Sequence, residues 1–176
     1  RAAAVHGCRS TELPSQRAKL EQEIRGAATV PPAAREAALR RLESLPDGDA
    51  VCHNDVHMLN VIVHDGGCAL IDWVLAARGN PLSDVAAAIL QLRFGDRGSN
   101  PVTHAALESG RAAFWRAYRR SYLRARPSDP GELARWELPM AVAFAGRREG
   151  RMLAQLQRRI GAILGGAAAR NEEARA

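Results

Sequence analysis

Between residues 53 and 72 the chain carries three oxygen-bearing side chains whose spacing could do chemistry. His53-Asn54-Asp55 is followed by four residues and then Asn60, the pattern H-x-D-x-x-x-x-N, and Asp72 stands twelve residues beyond Asn60. Phosphoryl transfer asks little covalent chemistry of a protein. It needs a carboxylate to orient and deprotonate the attacking hydroxyl, and oxygen ligands to hold Mg²⁺ against the phosphates. Asp55 and Asn60 lie at the two ends of one loop. The β-branched run Asn60-Val61-Ile62-Val63 leads to the turn signal Asp65-Gly66-Gly67, and Cys68-Ala69-Leu70-Ile71-Asp72-Trp73 reads as the returning strand. One loop and one hairpin thus bring Asp55, Asn60 and Asp72 to one pocket.

The elements around this hairpin read as helices. After a fragment over residues 2–8, apolar spacing predicts helices over 15–28, with Leu20, Ile24 and Ala27 on one face, and over 32–45, with Leu39, Leu42 and Leu45. Asn80-Pro81 and Asn100-Pro101 each pair a cap with a proline at the first helical position. They open helices to about Phe94 and Arg124. Asp129-Pro130-Gly131-Glu132 has the form of a capping box and opens a helix through Trp136, bent at Pro139 and relaxed at Gly146. A last helix covers 149–164, and Gly165-Gly166 leads to a polar tail that frays. The fold class is α+β and mainly α-helical, with one domain over 1–165 and the tail over 166–176.

Composition excludes several classes. No apolar run approaches the roughly 18 residues of a membrane-spanning helix. Cys8, Cys52 and Cys68 are an odd count without a C-x-x-C pair, so the default setting is reducing and cytoplasmic. The net charge of +6 is spread as scattered arginines among alanines and glutamates, and aromatics are only 5%. That pattern fits solvated helix faces and does not point to nucleic acid. The oligomeric state is open.

The stretch Val51-Cys52-His53-Asn54-Asp55 through Asn60-Val61-Ile62-Val63, with Leu70-Ile71-Asp72-Trp73 and Gly79-Asn80-Pro81-Leu82-Ser83-Asp84, resembles the aminoglycoside phosphotransferase and choline kinase-like family. The helical stretches on either side, with His6, Leu13-Pro14 and Trp136 to Glu149, are also similar to bacterial members. The resemblance implies the catalytic-loop lobe of a protein-kinase-like fold and an ATP- and Mg²⁺-dependent transfer of a phosphoryl group to a hydroxyl of a small molecule. By the same resemblance Asp55 is the catalytic base, Asn60 and Asp72 are Mg²⁺ ligands on the nucleotide side, His53 supports the catalytic loop, and Asp84 holds the loop backbone from behind. The family usually has glycine at Asn54, proline-glycine at Met58-Leu59, an acidic or similar polar residue near Val74 and aspartate at Asn80. None of these departures removes an oxygen ligand.

A complete enzyme of this kind also has an N-terminal lobe with a phosphate-covering loop, a strand lysine and its glutamate partner. No glycine-rich strand–turn–strand precedes His53, and Lys19, the sole lysine among 25 basic residues, sits in an amphipathic helix. The chain opens Arg1-Ala2-Ala3-Ala4-Val5-His6 without a methionine. The expectation is a truncated chain that starts just after the hinge, binds ATP weakly and turns over poorly. The alternative is a non-catalytic remnant of the fold that acts only as a binding module.

Plainer readings stand beside these. His53, His57 and His64 with Asp55 alternate like zinc ligands, but no second ligand block follows. His6 and His104 read as ordinary helix residues, Cys52 and Cys68 as buried small hydrophobes, Trp73 as a core anchor, and Phe114, Trp115, Tyr118 and Tyr122 as packing. Asp65 reads as a turn residue, and Asp84 would also be favourable merely as an acid near a helix N-terminus. Residues 101–165 hold twelve arginines against five acids. Such a surface opposes a polycationic acceptor and favours a neutral or anionic one.

Overall fold

The computed structural model describes residues 2–94 and 101–173; for residues 58, 101–109, 111, 112 and 167–173 it describes the backbone alone. Helices α1 (Ala2–Val5), α2 (Gln16–Arg25) and α3 (Pro32–Glu43) come first, followed by strands β1 (Ala50–Cys52), β2 (Val61–His64), β3 (Gly67–Leu70) and β4 (Ala77–Gly79). Helices α4 (Pro81–Phe94), α5 (Pro101–Ala125), α6 (Pro130–Ala145) and α7 (Gly150–Glu173) complete the chain. Short 3₁₀ turns cover Met58–Asn60 and Trp73–Leu75.

The core is built around α6, whose residues from Leu138 to Ala145 are all buried. A helix apolar on every side can only be satisfied by neighbours on every side. Helices α4, α7, α3 and α2 supply them, presenting Leu90, Leu156, Leu42 and Ile24 among others. Ala141, Ala143 and Ala145 are fully buried and let those helices approach closely, while Phe144 and Leu138 supply bulk worth about 1.5–3 kcal/mol each on burial. Pro139 does not end the helix. It sits buried in mid-helix, where dense packing outweighs the lost backbone bond.

The strands form two separate antiparallel pairs. β2 and β3 make the predicted hairpin in the register Val61↔Leu70 to His64↔Gly67. β1 pairs with β4, Ala50 opposite Gly79. Ala77-Arg78-Gly79 shows no strand pattern in the sequence; its strand exists because β1 is there to pair with. Asn80 caps α4 as the sequence predicts, its Oδ1 accepting from Leu82 N at 2.9 Å. Asp129 Oδ1 caps α6 by accepting from Gly131 N at 2.9 Å, in place of the capping-box bond to Glu132, and Ser15, which the sequence did not mark as a cap, accepts from Ala18 N. The predicted cap at Asn100 lies outside the described residues, as does the side chain of His104.

At the C-terminal end, α7 continues through Gly165-Gly166 to Glu173. The helix end expected before Gly165-Gly166 is therefore not observed; Ala167-Ala168-Ala169, the best helix formers, follow the glycine pair at once. Among the described residues no helix is long and apolar enough to cross a membrane.

Candidate active site

The loop from His53 to Asn60 leaves β1 and enters β2, so both its ends are anchored by strands. Its start is held by α4. Asp84, only 1% exposed, accepts from His53 N through Oδ2 and from Asn54 N through Oδ1, both at 2.8 Å. Two successive backbone N–H groups can share one carboxylate only if the chain turns sharply between them, and Asn54 does so with φ 65. Asparagine accepts this left-handed conformation more readily than most residues. Its side chain is also occupied, donating to Leu75 O at 3.1 Å and accepting from Gln16.

His53 is fully buried. Its Nδ1 accepts from Asp55 N at 3.3 Å and its Nε2 lies 2.9 Å from Ile71 O. A carbonyl oxygen can only accept, so the proton sits on Nε2, and the ring ties the loop to the end of the β2–β3 hairpin. Trp73 covers this ring at 4.6 Å between centroids. Trp73 is 40% exposed, so it caps His53 from outside and is not the core anchor expected; the indole N–H donates to Leu70 O.

Asp55 is partly buried and receives neutral donors on both oxygens. Asn60 Nδ2 donates to Oδ2 at 3.1 Å and also to the Asp55 carbonyl at 3.0 Å, while Gln91 Nε2 of α4 donates to Oδ1 at 2.9 Å. His57 Nε2 lies 3.4 Å from Oδ2. With its nitrogen turned to Asp55, Asn60 keeps its oxygen for another partner. The hairpin ladder continues one step past the strands through Ile71 N to Asn60 O at 3.1 Å. Asp72 follows next, exposed, in a left-handed conformation with φ 62. Its carboxylate makes no hydrogen bond or ion pair among the described residues.

Sequence reasoning missed two members of this site. His6, expected to be an ordinary helix residue, is fully buried; its Nε2 lies 2.9 Å from Asp84 Oδ2 and its Nδ1 2.8 Å from the Tyr122 hydroxyl. Nothing local to Ala4-Val5-His6 signals this, because the partners are contributed by distant helices. Gln91 had a signal: it lies seven residues after Asp84, hence on the same face of α4. Met58 lies outside the described side chains, and Leu59 points out at 84% exposure.

A metal reading finds little support elsewhere. His6, Cys52 and Asp84 have ligand atoms within 4.8 Å of one another. Asp84 already accepts three hydrogen bonds, and burial followed by the Asp84 charge pushes the Cys52 thiol far above its usual range. A neutral thiol is a poor metal ligand. The zinc-like pattern also fails to converge: His53 is committed to Asp55 and Ile71, and His64 accepts from Gly66 N on the exposed hairpin turn.

The model of the phosphotransferase enzyme family matches residues 4–128. Among solved structures, the choline kinase LicA from Streptococcus pneumoniae superposes with a TM-score of 0.63 at 18% identity, covering 94% of this chain and 60% of that one. The likeness shows a shared fold, and this chain spans about 60% of the length of that structure. No curated protein matches the chain.

Proposed function

The chain belongs to the phosphotransferase enzyme family, and from that premise we propose that it transfers the γ-phosphoryl group of ATP, with Mg²⁺, to a hydroxyl of a small molecule. The observation that carries this reading is the pair of bonds from Asn60 Nδ2 to Asp55, which orients that carboxylate and leaves Asn60 Oδ1 free of a partner among the described residues, on a residue whose carbonyl pairs with Ile71 N, one position before Asp72. In this reading residues 1–165 are the catalytic-loop lobe, and the hairpin carries the metal ligands.

Asp55 accepts the proton of the acceptor hydroxyl as its oxygen bonds to phosphorus, and the bond between phosphorus and the bridging oxygen breaks to release ADP. Gln91 and Asn60 keep the carboxylate oriented; His53 and Asp84 hold the backbone on which it stands. Asn60 and Asp72 are hard oxygen donors of the kind Mg²⁺ takes, and the ion, when bound, neutralises charge on the phosphates. On the hairpin face shared with Asn60, Ile62 is half-exposed and gives the nucleotide an apolar surface. The three cysteines, all free, fit a reducing, cytoplasmic setting. The arginine excess over residues 101–165 favours a neutral or anionic acceptor over a polycation.

The test is ATP consumption by the intact enzyme across neutral, anionic and cationic hydroxylated acceptors, with Asp55→Asn beside the natural chain. We expect Asp55→Asn to lower kcat by about 10²- to 10⁴-fold with nucleotide affinity retained. Equal turnover by both proteins would remove Asp55 as the base. Absence of turnover in both would leave the binding-module reading.

A further inference from the structure

Helix α4 has two occupied faces. Asp84 and Gln91 serve the catalytic loop. Ile89 and Arg93 stand about 200° from Gln91 round the helix, on the other side. There they line a cavity of about 200 Å³ between α4, α5 and α6. Its walls include the apolar side chains of Ile89, Leu90 and Leu133, and its charged lining is Arg93, Arg119 and Glu137.

The charge of this cavity is unbalanced. Glu137 is paired with Arg93 at 3.1 Å and is gripped through both oxygens by Arg159 of α7 at 2.7 and 2.6 Å. Arg119 has no ion-pair partner among the described residues. Three arginines against one carboxylate leave +2 (3 − 1) around a partly apolar hollow. Burial lowers the pKa of Arg93, and although Glu137 opposes this, the neighbouring charge of Arg159 adds to it. A second anion would relieve that repulsion. A cation is excluded by the field, a neutral hydrocarbon leaves Arg119 unpaired, and a multiply charged phosphate gains nothing from the apolar walls.

We propose that this cavity binds a small hydrophobic monocarboxylate, with its hydrocarbon against Ile89, Leu90 and Leu133 and its carboxylate taken by Arg93 and Arg119. The volume is somewhat more than the about 150 Å³ that holds a benzene ring, so an aryl or short alkyl acid fits. The site is independent of phosphoryl transfer, since it lies across α4 from Asp55 and needs no turnover to be detected.

The experiment is an NMR titration of the chain with 3-phenylpropionate and, in parallel, with its neutral isostere 3-phenylpropanamide. The indole N–H of Trp115, which also lines the cavity, is assigned by Trp115→Phe and serves as reporter. We expect a saturable shift at Trp115 with the acid, and binding of the amide weaker by about tenfold. Arg119→Ala should weaken the acid by a similar factor. Ala134→Trp, which fills the hollow from its solvent side, should abolish the shift while circular dichroism and the unfolding midpoint stay unchanged. Equal binding of acid and amide, shifts centred on Gln91 in place of Trp115, or no shift at all would each overturn the assignment.

Discussion

Asp84→Asn is the sharpest test of how the catalytic loop is held. The substitution keeps shape and removes charge. In the natural chain the carboxylate accepts from His53 N, Asn54 N and His6 Nε2 at 2.8–2.9 Å, with the group 1% exposed. Hydrogen bonds to a buried charge contribute about 1.5–3 kcal/mol each. An asparagine can place its oxygen where Oδ2 now serves His53 and His6, but its NH₂ then meets the Asn54 N–H, donor against donor. One bond is lost and a buried donor is left unsatisfied, for a combined cost of about 3–5 kcal/mol. For a chain of this size that lowers Tm by roughly 10 °C or more while leaving a folded population. The assay is urea unfolding followed by circular dichroism, with amide hydrogen exchange read at His53 and Asn54. Asp47→Asn, an exposed partner of Arg17, is the control, expected within about 0.5 kcal/mol. A loss below about 1 kcal/mol at Asp84, or unchanged protection at Asn54, would refute the view that a dry carboxylate pins this turn.

Other consequences follow from neighbouring groups. Gln91→Leu removes the donor on Asp55 Oδ1; steady-state rates of the intact enzyme should show kcat down about tenfold with nucleotide KM unchanged. Burial, opposed by Arg126 and helped by Asp84, pushes the Tyr122 hydroxyl from 10.0 up to about 12. Between those values the folded chain keeps a proton that the unfolded chain has released, so this contribution to stability is complete below pH 10 and declines toward pH 12. Tyr122→Phe should flatten that decline in unfolding midpoints measured from pH 9 upward, at a cost near neutrality of about 1 kcal/mol for its bond to His6. Finally, a thiol-titrating disulfide reagent at neutral pH should label exposed Cys8 first and fully buried Cys52 only on unfolding.

The parts of the fold legible in the sequence are those whose cause is local. Asn80-Pro81 and Asp129-Pro130 start helices because a cap and a fixed φ act within one turn. Asp65-Gly66 folds β2 back on β3, and that places Asp72 near Asn60 without reference to the rest of the molecule. What was not legible has distant causes. Strand β4 depends on β1, whose Ala50 pairs with Gly79, 29 residues later (79 − 50). His6 needs Asp84 and Tyr122, 78 and 116 residues away in sequence. Trp73 looked like core by residue type alone, yet the core had been filled by α6 and its helices, and Trp73 was left to cover His53.

The site's chemistry and the core's packing meet in two strained residues. Asn54 and Asp72 are the only non-glycine residues with positive φ among those described, and in the proposed reaction Asn54 precedes the base Asp55 and Asp72 would itself be a ligand. Such a conformation costs about 1 kcal/mol or more per residue and persists only where surroundings overdetermine it. At Asn54 the surroundings are Asp84 and Gln16, on helices α4 and α2 packed into the core, and the Leu75 carbonyl of the exposed turn after Asp72. At Asp72 they are the His53 bond to Ile71 and the ring contact of Trp73 on the same imidazole. His53 therefore links the two strained points, since its backbone N–H goes to Asp84 and its ring to the residue before Asp72. His53 thus sets the relative placement of Asp55 and Asp72. The apolar density of α6 and α4 is then what keeps those oxygens in position, because Asp84 can hold the loop only while α4 itself cannot move.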